Sequence, residues 1–289
     1  MIYSERGVAF DCDGDQLLGV LSLPPEPNDI GVVIIVGGPQ YRVGSHRQFV
    51  LMARHLAGAG FPVLRFDTRG MGDSSGVFPG FESVGPDIAC AVSALRREVR
   101  SIRSVVLWGL CDAASAAMIN GAAIADISGL VLLNPWVRNA QTLASAEVKH
   151  YYHRRVLEPA FWLKLARGEV RVIDSLSELL GKLLRQLVQR VRGGGYAAEV
   201  GDFRERMVQG LDAFEGQVLL ILSGRDLVAA ELIEFAAGHP ALKEILDRPN
   251  TVRVNLPEAD HTFSGHKHRG DVEVATLGWL ERMLHGERA

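Results

Sequence analysis

Five apolar runs of strand length constrain this chain more than any other feature. "GVVIIVGG", "PVLRFD", "SVVLWG", "SGLVLLN" and "QVLLILSG" show little alternation of polar and apolar residues. Such runs fit strands covered on both faces. Between them lie helical stretches, near Arg47–Ala59, Val84–Arg97, Asp112–Ala125 and from Ala229. Strands alternating with helices of this length imply βαβ units and a parallel sheet. Upstream, residues 7–23 read as two strands around "CDGDQ", with Asp13-Gly14 suited to a tight hairpin turn. Downstream, "TVRVNLPEADH" and a helix from Asp271 close the chain. The expectation is an α/β fold: a mostly parallel eight-stranded sheet flanked by helices.

The rhythm breaks at Pro135. From Trp136 to about Phe214 no buried strand is evident, and leucine or valine recurs at 176, 179, 180, 183, 184, 187, 188 and 191. That spacing predicts an amphipathic helix, with Ser175 and Glu178 as a capping box and glycines 193–195 ending it. The division expected is a core of residues 1–135 and 215–289 with a helical lid, 136–214, inserted in it. The lid holds 13 Lys+Arg against 9 Asp+Glu in a chain of formal charge −3. A basic, aromatic lid could receive an acyl group on an acidic acyl carrier protein or on coenzyme A. A solvated helical face is the alternative. The leucine stripe likewise reads as packing against the core or as the lining of an acyl pocket.

Composition excludes more than it selects. Slight acidity gives no global pull toward nucleic acid, and no apolar run approaches the roughly 18 residues a membrane span needs. The first residues lack the features of a signal peptide. Three widely spaced cysteines, Cys12, Cys90 and Cys111, argue against a disulfide framework and for a reducing, cytoplasmic setting. Neither a metal-ligand set nor a cofactor is expected, and "GGPQYRVGS" lacks the Lys-Ser/Thr of a phosphate loop.

The chemistry concentrates in "VVLWGLCDAASAAMI". A strand, a sharp turn and a helix around Gly109-Leu110-Cys111-Asp112-Ala113 is the signature of a nucleophile elbow. Cys111 is then a candidate nucleophile, although free cysteine is commonly a small core residue. Asp226, in "LSGRDLVAA", and His261, in "PEADHTFS", each follow a later strand. Nucleophile, acid and histidine in this order would form a triad, His261 taking the proton and Asp226 orienting the ring. Alone, Asp226 also reads as a turn or cap residue and His261 as a loop histidine. Acyl chemistry further needs donors for an oxyanion. Gly38, after the third strand, and the backbone N–H of Asp112 are the candidates; Pro39 has no N–H, and Gln40 is the fallback. The side chains of Asp112 and Asp260 read as solvated or helix-starting.

Two motifs add a resemblance. "VLRFDTRGMGDSSG" resembles the F-D-x-R-G-x-G-x-S loop of α/β-hydrolases, which shapes the floor of their site, and "VGGPQ" resembles their H-G-G-P-G oxyanion loop, with Val36 in the histidine's place. "WGLCDAASAAM" is similar to the hydrolases associated with the bacterial exosortase A system, of the first type, a group linked by gene context to exopolysaccharide export and protein sorting. The resemblance implies the α/β-hydrolase fold. The reading that follows is a hydrolase of esters or thioesters through a Cys-His-Asp triad and an acyl-cysteine intermediate. An acyltransferase using an alcohol or amine acceptor, and a non-catalytic binding module on the same fold, are the alternatives.

Overall fold

The computed structural model describes residues 3–38, 40–138 and 202–286. The chain divides into two compact units, Met1–Val137 with Asp202–Ala289, and Arg138–Gly201. The second unit, with the capping box and the leucine stripe, lies outside the described residues apart from Arg138.

The first unit is built on one eight-stranded sheet. Its strands are β1 (Ser4–Cys12), β2 (Asp15–Leu23), β3 (Ile30–Ile35), β4 (Val63–Phe66), β5 (Ser104–Leu110), β6 (Ile127–Leu133), β7 (Gln217–Ser223) and β8 (Thr251–Leu256). They lie in the order β1-β2-β4-β3-β5-β6-β7-β8. β1 pairs antiparallel with β2, and β2 with β4; every other pairing is parallel. The first hairpin turns on Asp13 (φ 51°) and Gly14 (φ 89°), both left-handed, as a two-residue turn requires. All residues of β3 and β4 are buried, which explains the unbroken apolar runs. β8, at the edge, keeps a half-exposed pattern.

Helices cover both faces. On one side α1 (Gln48–Gly58) and a C-terminal helix, His266–Leu284, bury Phe49, Met52, Leu56, Trp279 and Leu280 against the sheet. The other side carries α2 (Gly85–Glu98), α3 (Asp112–Asn120), α4 (Phe203–Asp212), α5 (Leu227–Gly238) and α6 (Pro240–Leu246); the C-terminal helix is α7. α4 falls inside the stretch expected as lid, yet Phe203, Met207 and Leu211 pack into the core cluster. The remaining departures are at helix ends. α3 stops at Asn120, whose side chain bonds back to the Ala116 carbonyl at 2.8 Å, five residues short of the expected end. α5 starts at Leu227 because Asp226 caps it, and α7 starts at His266 rather than Asp271. α6 has no counterpart in the sequence reading; His239 caps it by accepting the Leu242 N–H at 3.3 Å. Among the described residues no helix is long and apolar enough to cross a membrane.

Trp279, fully buried, lies against Gly129 of β6, where an added Cβ would come within 2.6 Å of the ring. The missing side chain leaves the space that the indole fills. Trp279→Ala is expected to cost about 3–5 kcal/mol, read as a lower urea midpoint with unchanged far-ultraviolet circular dichroism.

Candidate active site

The site is assembled where β5, β7 and β8 end. Cys111 sits between β5 and α3 at φ 61° and ψ −124°, a conformation outside the regions L-residues favour. The turn closes tightly: a Cβ at Gly109 would approach the Ala113 carbonyl carbon to 2.6 Å, so glycine is required there. The Cys111 N–H donates to the Leu133 carbonyl at 2.9 Å, anchoring the turn to β6. The tip side chain remains half-buried rather than sunk in the core. The serine of α3, Ser115, lies one helical turn further on. It is fully buried, and its hydroxyl donates to the Trp136 carbonyl at 2.8 Å.

His261 reaches the elbow from the loop after β8. Its Nδ1 meets Asp226 Oδ2 at 2.8 Å, and the Cys111 side chain acts on the same ring. These two partners, Asp226 first, hold the imidazole proton far above its ordinary range, up to about 10, although partial burial works the other way. Asp226 serves two structures at once. Its carboxylate also accepts from the Val228 and Ala229 N–H groups at 3.1 and 3.3 Å, capping α5. The cap reading therefore holds for the same side chain that meets His261.

The three residues singled out in the sequence thus converge, but the oxyanion loop differs from expectation. Gly38, at φ 60°, points its N–H at a carboxylate: Asp112 Oδ2 accepts it at 2.8 Å. The Asp112 carboxylate also feels the nearby backbone N–H groups of Ala113 and of Asp112 itself. It is neither solvated nor merely helix-starting. Burial pushes its acidity down, raising its pKa against the pull of these donors. The side chain of Gln40, the fallback, accepts the Ser45 N–H at 3.0 Å and so braces the loop. Asp260 is turned to Ser264, taking its N–H at 2.9 Å and its hydroxyl, and these bonds outweigh desolvation to hold its pKa low.

Two supports were not identified in the sequence. Asn134, fully buried at φ 43°, accepts the Ser223 N–H at 2.9 Å and donates to Ser223 Oγ at 2.6 Å and to the His261 carbonyl at 3.1 Å. It ties the ends of β6 and β7 to the histidine loop. Asp67, fully buried in the "FDTRG" loop, accepts the backbone N–H of Arg42 at 2.6 Å and that of Asp73 at 3.1 Å, and pairs with the Arg42 guanidinium. It clamps the oxyanion loop to its neighbour. An asparagine ending a buried strand was the available signal for the first; the motif itself was the signal for the second.

The imidazole sets a pH dependence of stability. A proton held in the fold up to about 10, against an ordinary 6.5, stabilises fully below pH 6.5 and is lost as the pH rises through 10. The stability difference between wild type and His261→Gln, from urea unfolding, is expected to be largest below pH 6.5 and to vanish above 10. Asn134→Ala is expected to cost about 1–3 kcal/mol in the same assay, because it leaves the buried Ser223 N–H unpaired.

Comparison with known proteins fits this geometry. Residues 32–276 match the family described as the alpha/beta hydrolase family. Among solved structures, an esterase of Pyrococcus furiosus superposes with TM-score 0.65 at 15% identity, covering 97% of this chain and 93% of that one. Est1E of Butyrivibrio proteoclasticus, solved with ferulic acid bound, gives TM-score 0.59 at 17% identity, covering 96% and 99%. A Xanthomonas campestris protein described as an a/b serine hydrolase without lid gives 0.56 at 14%, covering 96% and 95%. No curated protein matches. These findings correct the narrower expectation. The match is to the broad family, and the named structures are esterases and a serine hydrolase, not exosortase-associated cysteine enzymes. The acyl-cysteine route on esters or thioesters, with its acyltransferase alternative, is withdrawn along with that subgroup. The physical reason is that the subgroup rested on one short motif, and a thiol at one position does not by itself define a reaction. Fold, strand order and extent of match agree on the broader assignment: the chain belongs to the α/β-hydrolase family.

Proposed function

We propose that the protein hydrolyses small carboxylic esters at the site formed by Cys111, His261 and Asp226. The observation that carries this reading is His261 held at 2.8 Å by Asp226 beside the elbow at the end of β5. The esterases of similar fold supply the substrate class.

The roles follow from position. His261 moves the proton, delivering it to the departing alkoxide as the acyl carbon–oxygen bond breaks. Asp226 keeps Nδ1 protonated and offsets the charge of the imidazolium. The N–H groups of Gly38 and Asp112 are placed to receive the carbonyl oxygen as it becomes an oxyanion. Water attacks the acyl carbon as the His261 ring takes its proton, and the alcohol leaves with that proton as the acyl carbon–oxygen bond breaks, so atoms and charge balance. Presentation of the acyl group by a carrier protein or coenzyme A, and a cytoplasmic setting, rest on lid charge and cysteine count alone.

Hydrolysis of p-nitrophenyl butanoate tests the assignment. His261→Ala is expected to lower kcat/KM by about 100-fold or more, and Asp226→Asn by a comparable factor. Ser115→Ala is expected to keep most of the activity, because that hydroxyl is committed to the Trp136 carbonyl. Undiminished activity in a folded His261→Ala, or loss of activity in a folded Ser115→Ala, would overturn this site.

A further inference from the structure

The Asp112 carboxyl stands where an oxyanion should. One oxygen accepts the Gly38 N–H at 2.8 Å, so it holds the first of the two donors assigned above to the carbonyl oxygen. Its other oxygen, Oδ1, is buried without a hydrogen-bond partner. The fit is close: any Cβ at Gly37 would collide with Oδ1. A solvated helix-starting aspartate would have neither a loop glycine as partner nor a buried, unpaired oxygen.

We infer that Asp112 is an internal occupant of the oxyanion pocket: ionised, it excludes other anions; neutral, it yields the Gly38 donor to a substrate carbonyl. The inference rests on the ester-hydrolase reading for its catalytic consequence, but the occupancy itself does not. The physics is that of competing charges. A carboxylate on the Gly38 N–H already satisfies that donor, and a second negative charge developing beside it is disfavoured where burial limits screening. Loss of the charge removes both obstacles. Burial favours that neutral form. Among the described residues the titratable groups facing Asp112 are His261, whose charge opposes the shift, and its neighbour Cys111 at the elbow. From the β3 loop and from α3 it meets backbone donors, those of Gly38 and Ala113. Asp112 is in this sense a residue that sets specificity: it selects neutral carbonyl compounds over anionic ones and tunes the pH range of turnover.

The experiment compares wild type with Asp112→Asn, which preserves shape, and with Asp112→Ala. Circular dichroism and urea unfolding verify that each is folded. The first readout needs no turnover: the Gly38 amide resonance is followed by NMR against pH and against added butanoate. In wild type it should move with an acid titration and ignore butanoate at pH 8. In both variants the titration should disappear and butanoate should shift the resonance saturably. An equal response to butanoate in all three proteins, or none in any, would overturn the inference. The second readout is kcat/KM on p-nitrophenyl butanoate. The ratio of Asp112→Asn to wild type should grow with pH, to on the order of 10-fold at pH 8. A ratio constant with pH would also overturn it. Absence of ester hydrolysis in every variant, with the NMR behaviour as expected, would instead fail the ester reading and leave the occupancy supported.

Discussion

The site depends on one backbone constraint, the left-handed turn at Cys111. Chain leaving a central parallel strand and entering a helix within one residue must adopt a conformation that costs on the order of 1–3 kcal/mol for a residue with a side chain. The surroundings hold it there. Gly109 and Ala113 are small enough for the strand and the helix to pass, and the Cys111 N–H is committed to β6. The return on that strain is placement: a side chain stands clear of the sheet, and the first amide of α3 points into the same space. Everything else at the site is arranged around this turn.

The neighbouring groups show how a sheet edge becomes a rigid support. Parallel strands release their loops at the same end, so residues far apart in the chain meet without long connections. Asp226 caps α5 and orients His261 with the same carboxylate, and Asn134 joins β6, β7 and the histidine loop through three hydrogen bonds. Asp67 does the same for the opposite wall by holding Arg42. Each is a polar group with partners on different elements, which ties the site's precision to the stability of the core beneath it. Asp112 belongs to this network but differs in one respect: one of its oxygens is buried without a partner.

Much of the frame was legible beforehand because it is encoded locally. Unbroken apolar runs mark β3 to β7, Asp13-Gly14 marks the first turn, and the small residues around Cys111 mark the elbow. The order of Cys111, Asp226 and His261 was readable for the same reason, since each directly follows a strand. Helix ends were read less well: the starts of α5 and α7 and the short α6 depend on capping contacts that periodicity does not register. The narrower family reading was misled by weighting a single thiol above the pattern of the whole chain.

The sequence by itself determined the sheet and the turn, because hydrophobic period and glycine placement act within a few residues. Only the tertiary structure decided where the polar groups went. Asn134 finding the His261 loop across 127 positions, and Asp112 taking the amide of Gly38 across 74, are contacts between elements. Burial makes such pairing obligatory, but it leaves the choice of partner to the way the strands and loops pack.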